Sequence, residues 1–449
     1  MKKRLQFISA LILMQSAMSI AQTQPIITKW LQNNTTTGTY YTSGNSTAIS
    51  NGILVNCQQV RYSTTNVYIN TTGIPAYAVG PFNGDGNPNN AGNQNAIYKF
   101  PLTPIPNTGA PVSTGMGNIG VFINGVSLFD YKDGVSWKNS TGAFAGGPLG
   151  GAGDGVWNRD AIKYEKMGFD CSKGHPAGTN YHHHQNPSAF KNDLTLVSTI
   201  CNLYDADGLY TINTAQHSPL IGFAYDGYPI YGAYGYANAD GTGGVVRMKS
   251  SYQLRNITTR STYSDGSTVT AGPAVNSTYP LGCFKEDYEY ISHTGDASYL
   301  DVHNGRFSIT PEYPSGTYCY FATVDANHNS AYPYVVGPTY YGVYANRKVT
   351  TVTETTTTYL ANDDFALNNL EVTIFPNPAS ELIVIQIGGL VDHNFDIELI
   401  DINGKVVLTN KINQGQALSY LDVQTVHSGV YFIKISDGIN NRSTKVIIE

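Results

Sequence analysis

Hydrophobic positions along this chain fall into three textures. The first is a single short apolar stretch, Phe7 to Ile20, broken at Gln15 and Ser16 and preceded by Lys2, Lys3 and Arg4. A basic start, an apolar run of this length and small residues at Ser19 and Ala21 predict an export signal over 1–21, cleaved after Ala21. Beyond it the apolar positions come in short alternating runs, the period of strands. Asn66 to Asn70 and Ile97 to Phe100 read as strands within an N-terminal β-rich region, 22–115. Asn118 to Val126 reads as a strand ending in an Asn124-Gly125 turn. The third texture is a tight succession near the end of the chain: Val372 to Phe375, Leu382 to Ile387, Ile397 to Ile402, Val406 to Leu408, Gly429 to Ile435 and Ser443 to Ile448. Turn signals lie between them at Pro376-Asn377-Pro378, Gly388-Gly389 and Asn403-Gly404. That pattern predicts a small antiparallel sandwich. No run after the first approaches the roughly 18 apolar residues a membrane helix needs.

Composition fits this reading. Of 449 residues only 13% are charged, and the 33 Tyr outnumber the 26 Lys and Arg together. With 46 Gly as well, the chain favours twisted strands and turns over long helices. The net charge of −6 and the lack of a basic block give a nucleic-acid partner no electrostatic footprint. The expected fold class is mainly β, a large β-rich core plus a small C-terminal immunoglobulin-like β-sandwich. A Thr-rich run, Val349 to Thr358, followed by polar residues to Asn369 predicts a linker over 346–368. The five cysteines suit an oxidising compartment. Neighbours in sequence, Cys171 with Cys201 and Cys283 with Cys319, are the natural pairs; buried free thiols are the other reading.

Eight of the ten histidines lie between 175 and 328, and three are consecutive, His182-His183-His184. On an extended strand, His182 and His184 share a face and His183 points the other way. Two neutral imidazoles on alternate strand positions make a natural ligand pair for a borderline metal such as zinc or copper. A third donor is needed. His217 opens the glycine-flanked block Gly222 to Gly232, and His175 lies in a Gly-His-Pro turn that could fold back onto the strand. Asp226 reads mainly as an Asx-turn residue. Arg306 is expected to clamp the carboxylate of Asp301 or Glu312. A faint echo links Asp170-x-x-x-Gly174 before Gly178-Thr179-Asn180-Tyr181 to Asp301-x-x-x-Gly305 before Gly316-Thr317-Tyr318, which suggests a duplicated half-domain around a pseudo-twofold. No nucleophile elbow, phosphate loop, dinucleotide fingerprint or His-Glu-x-x-His run is present, so the sequence assigns no catalytic residue and leaves open whether the protein is an enzyme.

Two stretches carry resemblances. Phe375-Pro376-Asn377-Pro378-Ala379, Asp401-Ile402-Asn403-Gly404-Lys405 and Ser428-Gly429-Val430-Tyr431 occur in order near the end of the chain. Over 369–449 they resemble the type A C-terminal sorting domain of the type IX secretion system. That resemblance implies the secretion machinery as a partner and passage across a Bacteroidetes outer membrane to the surface or the medium. Tyr181-His182-His183-His184, the block His217 to Gly232, Glu286-Asp287-Tyr288-Glu289-Tyr290, Leu300 to Arg306 and Tyr332 to Gly337 together resemble the YHYH protein family over 116–345. Here His183 stands where that family's run has its second Tyr, and the family's name implies no reaction. Two functions are therefore expected as alternatives. One is an exported metal-binding protein with His182 and His184 as ligands and His217 or His175 completing the site. The other is a non-catalytic surface module that binds glycan or protein through Tyr-rich faces. A convergent histidine cluster would favour the first and an exposed aromatic strip the second.

Overall fold

The computed structural model describes residues 24–82, 89–189, 208–344, 348–359, 372–387, 394–413, 416–436 and 441–449. The expected export signal, Cys201 and the later part of the expected linker lie outside them. The chain divides into two compact units, 1–359 and 360–449, and both are built of strands.

Eight strands of the first unit form its central sheet, numbered here in chain order: β1 Asn118–Phe122, β2 Ser127–Phe129, β3 Gly174–Ala177, β4 Asn180–His183, β5 Leu220–Ala224, β6 Pro229–Tyr231, β7 Gly305–Ser308 and β8 Thr317–Phe321. Their spatial order is β3-β4-β2-β1-β5-β6-β8-β7. That order reads the same from both ends once β1 to β4 are matched with β5 to β8. The pairing directions match as well: β3/β4 and β7/β8 are antiparallel, β4/β2 and β6/β8 are parallel, and β1/β5 is antiparallel at the centre. Ile119-Gly120 and Ile221-Gly222 open equivalent hairpins that turn at Asn124-Gly125 and Asp226-Gly227. At the axis Val121 faces its own counterpart, Phe223. The two chains cross so closely there that a Cβ on Gly120 would lie 2.8 Å from the Phe223 carbonyl oxygen, and one on Gly222 would lie 2.7 Å from that of Val121. Only glycine fits either position.

The echo between Asp170 and Asp301 belongs to the same repeat. Each carboxylate accepts backbone N–H bonds from the residues two and four positions on, Ser172 and Gly174 in one copy, His303 and Gly305 in the other. Each also accepts the phenol of the returning strand, Tyr181 at 2.8 Å and Tyr318 at 2.8 Å. Matching registers make Gly174 face His183, and Gly305 face Tyr320. The repeat thus extends over four strands in each half.

The N-terminal region is part of the same unit. Cys57–Tyr62, Asn66–Thr71 and Ala96–Pro101 form a sheet whose two edges are Lys348–Val349 and Thr357–Tyr359, so the Thr-rich run is paired at its two ends, with residues 350–356 in no strand between them. Threonine suits such an edge because its β-branched side chain fits a half-exposed strand. Trp30 and Phe100 pack on Phe223 at ring distances of 5.3 and 6.4 Å, which joins this sheet to the central core. The tyrosines are mostly interior. Tyr181, Tyr318, Tyr320 and Tyr334 are buried and donate to the carboxylates of Asp170, Asp301, Asp226 and Asp160. A buried phenol is stable only with such an acceptor.

Two local expectations change. Cys171 is disulfide-bonded, whereas Cys283 and Cys319 are buried free thiols. They do not pair because Cys319 sits on β8 in the central core while Cys283 belongs to a separate cluster with Trp137, Trp157 and Phe284. Arg306 clamps neither Asp301 nor Glu312: its guanidinium donates to the backbone carbonyls of Tyr236, Ala237 and Ala297.

The second unit has seven strands in two sheets. One has three strands, Val372–Phe375, Leu382–Ile387 and Leu418–Asp422; the other has four, Val406–Ile412, Phe395–Asp401, Gly429–Ser436 and Asn441–Ile448. Inward residues of both, among them Ile383, Ile385, Ile397, Leu399, Ile433 and Ile435, form one core of an immunoglobulin-like β-sandwich. Described residues contain no helix long and apolar enough to cross a membrane.

Candidate metal centre

The β3–β4 hairpin carries the densest chemistry. Its register sets His175 opposite His182, and the extended strand turns His183 to the other face. There His183 Nε2 lies 2.8 Å from the Tyr77 hydroxyl, and burial pushes its pKa down to about 3. His175, His182 and His184 remain on one side, all buried, with one ring nitrogen from each within 4.8 Å of the others.

The tautomers follow from the partners. His182 Nδ1 lies 2.9 Å from the carbonyl oxygen of Asn180, and His184 Nδ1 bonds the carbonyl oxygen of Asp130. Carbonyls only accept, so each neutral imidazole carries its proton on Nδ1 and presents a lone pair at Nε2. Those two Nε2 atoms lie 3.0 Å apart. Two lone pairs at that separation repel unless a proton or a metal ion sits between them. Burial, and then the neighbouring His175 and His184, hold the His182 pKa well below its ordinary value, which works against a proton on His182.

A carboxylate completes the cluster. The short helix Ala161–Glu165 is capped by Asp160, whose side chain accepts the Lys163 N–H, and its last residue turns back onto the hairpin. Glu165 Oε2 lies 3.0 Å from His184 Nε2 and 3.4 Å from His175 Nε2. Burial alone would raise its pKa, but hydrogen bonding and charge from His175 and His184 in their protonated forms outweigh that and hold it well below the carboxylate range. Ligands about 2.0–2.1 Å from a tetrahedral zinc ion are separated by about 3.3 Å, and three of the six separations in this set of four, 3.0, 3.0 and 3.4 Å, are close to that edge. The Phe129 ring stacks on His182 at 3.8 Å and holds its orientation.

The cluster faces a cavity of about 570 Å³ walled by Met116, Phe129, Pro148 and Pro176 among others, with Lys132, Asp133 and Arg159 as its remaining charged residues. That volume suits a small organic molecule.

Of the four residues singled out by sequence, the fold brings together His175, His182 and His184. His217 lies outside the group. It packs against Tyr231 and Tyr236 at 5.1 and 4.8 Å, and its Nδ1 bonds the Ser218 carbonyl oxygen at 2.7 Å. Asp226 caps its own turn and accepts Tyr320 and Gly342. Glu165 had no sequence signal, because its approach to the hairpin crosses an irregular stretch with no fixed period. The cavity's charged wall was equally silent, since Lys132 and Arg159 come from separate strands.

Residues 97–333 match a family model described as YHYH protein. This chain belongs to the YHYH protein family. The match takes in all the residues of the histidine cluster, Glu165 included, and the family's name describes a sequence run rather than a reaction. Residues 373–449 match the secretion system C-terminal sorting domain, which marks this YHYH protein for type IX export to the cell surface or the medium and implies contact with that machinery. No curated protein matches the chain. A solved DUF3244 family protein with an immunoglobulin-like β-sandwich fold from Bacteroides vulgatus is similar to part of it, at 19% identity over 18% of this chain and 88% of that one, with a TM-score of 0.17.

Proposed function

We propose that this exported YHYH protein binds one transition-metal ion through His175, His182, His184 and Glu165. The observation that carries the reading is the pair of Nε2 lone pairs 3.0 Å apart, each fixed by a backbone carbonyl behind it. Backing of that kind is the outer-shell arrangement that orients histidine ligands. Three imidazoles and a carboxylate suit zinc, which they close into a tetrahedron, and equally copper, which accepts further ligands from the cavity side. The bound ion would supply Lewis acidity, or redox change if it is copper. The residues around it hold the ligand set, keep Nδ1 protonated and exclude bulk water. An N-terminal export signal and a Bacteroidetes host fit the sorting domain and belong to the same reading.

The competing glycan- or protein-binding reading calls for an exposed aromatic strip. Among the described residues Tyr420, in the sorting domain, is the exposed tyrosine, and the others are buried or half-buried. Metal analysis of natively purified protein tests the proposal. About one zinc or copper per chain is expected, falling below a tenth in His182→Ala and His184→Ala. Wild-type protein that carries no metal and takes up none on titration would overturn it.

A further inference from the structure

Outside the ligand cluster, the cavity wall carries two cations that the metal reading does not use. Lys132 and Arg159 have side chains only 10% and 12% exposed, and both line the cavity. Arg159 is braced on Asp133, donating Nε to Oδ2 at 2.6 Å with a second nitrogen on the same carboxylate, and its guanidinium lies over the Tyr164 ring at 4.4 Å. Lys132 Nζ lies 3.7 Å from Asp130. Both cations are thus held in place before any ligand arrives, and largely desolvated cations favour an anion more strongly than exposed ones.

The charges of the lining point the same way. Lys132 and Arg159 are matched there by Asp133 and Glu165. A divalent ion on the histidines then leaves the lining net positive. Apart from Tyr164 and glycines, the rest of the wall is apolar: Met116, Phe129, Pro148, Pro176 and Ala177. Room, too, is specific to this end of the sheet. Gly134 lies five residues beyond Phe129 and lines the cavity, whereas its counterpart five residues beyond Tyr231 is Tyr236, which packs on His217.

We propose that the cavity binds a small organic carboxylate, its anionic group between the metal face and the Arg159–Lys132 wall and its apolar body against Phe129, Met116 and Pro148. The inference rests on the metal reading, since the ion supplies the positive surplus. Neutral sugars lack the anion, and inorganic phosphate lacks the body.

Cobalt-substituted protein provides the test, because its visible bands report the ligand environment of the ion. Benzoate should shift those bands saturably. Arg159→Gln, with Lys132→Gln as a second variant should the first misfold, should bind cobalt in full yet need at least tenfold more benzoate. Benzyl alcohol should leave the bands unchanged, and phosphate should compete at least tenfold less well than benzoate. If cobalt binds but benzoate has no saturable effect, or acts equally on the variants, the carboxylate proposal fails while the metal reading stands. Benzyl alcohol or phosphate acting as well as benzoate overturns it too. Protein that takes up no cobalt overturns both.

Discussion

Strands β1 to β4 and β5 to β8 repeat one another about Val121 and Phe223, yet the positions of His175, His182 and His184 are held in the second half by Arg306, Cys319 and Phe321. The comparison is an internal control. The second half keeps the Asp turn, the returning tyrosine and the strand order without any of the three imidazoles. The strand arrangement therefore does not need them. Where the first half gathers lone pairs and a carboxylate, the second inserts the chain's own cation. Arg306, half-buried, donates to the carbonyls of Tyr236, Ala237 and Ala297 and lies 5.9 Å over the Phe321 ring. One end of the sheet carries a cavity and a histidine cluster; the other carries a cation of the chain's own.

The strongest way to break this comparison is to move a residue across the axis. His184→Phe installs the second half's residue in the first. Metal affinity should fall by more than about 100-fold, beyond the loss typical of an outer-shell partner. The thermal midpoint of the metal-free protein should fall only slightly, because the Asp130 carbonyl loses the Nδ1–H while a repelling lone pair is exchanged for apolar packing beside Phe129 and Phe169. Calorimetry of both forms without metal checks this. A large drop in the midpoint would mean that the imidazole is structural after all.

Arg306→Ala is the reciprocal experiment. It leaves the part-buried carbonyls of Tyr236 and Ala237 and the exposed one of Ala297 without their charged donor, and a loss of about 2 kcal/mol is expected in denaturant unfolding. Metal content should not change, since the site lies at the other end of the sheet. Coupled loss of metal would show that the two ends are not independent.

The same comparison explains what could be read from the sequence. His182 and His184 were legible because a strand has period two and needs no tertiary knowledge. The sorting domain was legible because its turns and alternating strands lie within about 80 residues of local sequence. His175 was one of two candidates for the third donor, and the choice depended on hairpin register, which a Gly-His-Pro turn alone does not specify. Glu165 was invisible, since its place depends on a capped helix of one turn meeting a distant hairpin. The role of Arg306 was misread because sequence offered two nearby acids, while the fold offered three carbonyls lying closer to its side chain. The pseudo-twofold was faint for a physical reason: it conserves glycines, turns and hydrogen-bonding pairs, while side chains in the two halves have diverged in chemistry.

A third test concerns pH and belongs to the first half. Burial raises the pKa of Asp160 to about 7, opposed by bonds from the Tyr334 hydroxyl and the Lys163 N–H. Its folded value lies above the ordinary carboxyl value of 3.8, so the native state holds the proton more tightly than the unfolded chain. Stability therefore falls as pH rises from about 4 to about 7 and levels off above. Asp133, Asp170 and Asp226, each raised to about 6, act with the same sign. Asp160→Asn should thus flatten mainly the stretch between pH 6 and 7. A slope there equal to wild type would show that Asp160 is ionised throughout.

The smallest effect is the one that most sharpens the repeat. Tyr181 and Tyr318 occupy equivalent positions, each buried and each bonded to the aspartate that closes its turn at 2.8 Å. Replacing either by Phe removes one hydroxyl; Asp301 still accepts two backbone N–H bonds and Asp170 three, the third from Gly80. Each substitution should cost about 1–1.5 kcal/mol, and the two costs should agree within about 0.5 kcal/mol. Lying in opposite halves and bonded to different aspartates, the substitutions should also add in the double variant. Tyr181→Phe has one further consequence that Tyr318→Phe lacks, because its strand continues directly into His182. Loosening the Asp170 closure frees the hairpin that aligns His175 with His182, so metal affinity should weaken several-fold in Tyr181→Phe alone. Equal stability costs with unequal metal affinities would mean that the halves share a scaffold and only one uses it to hold a site. Unequal stability costs would mean that the resemblance of the two turns is geometric and not energetic.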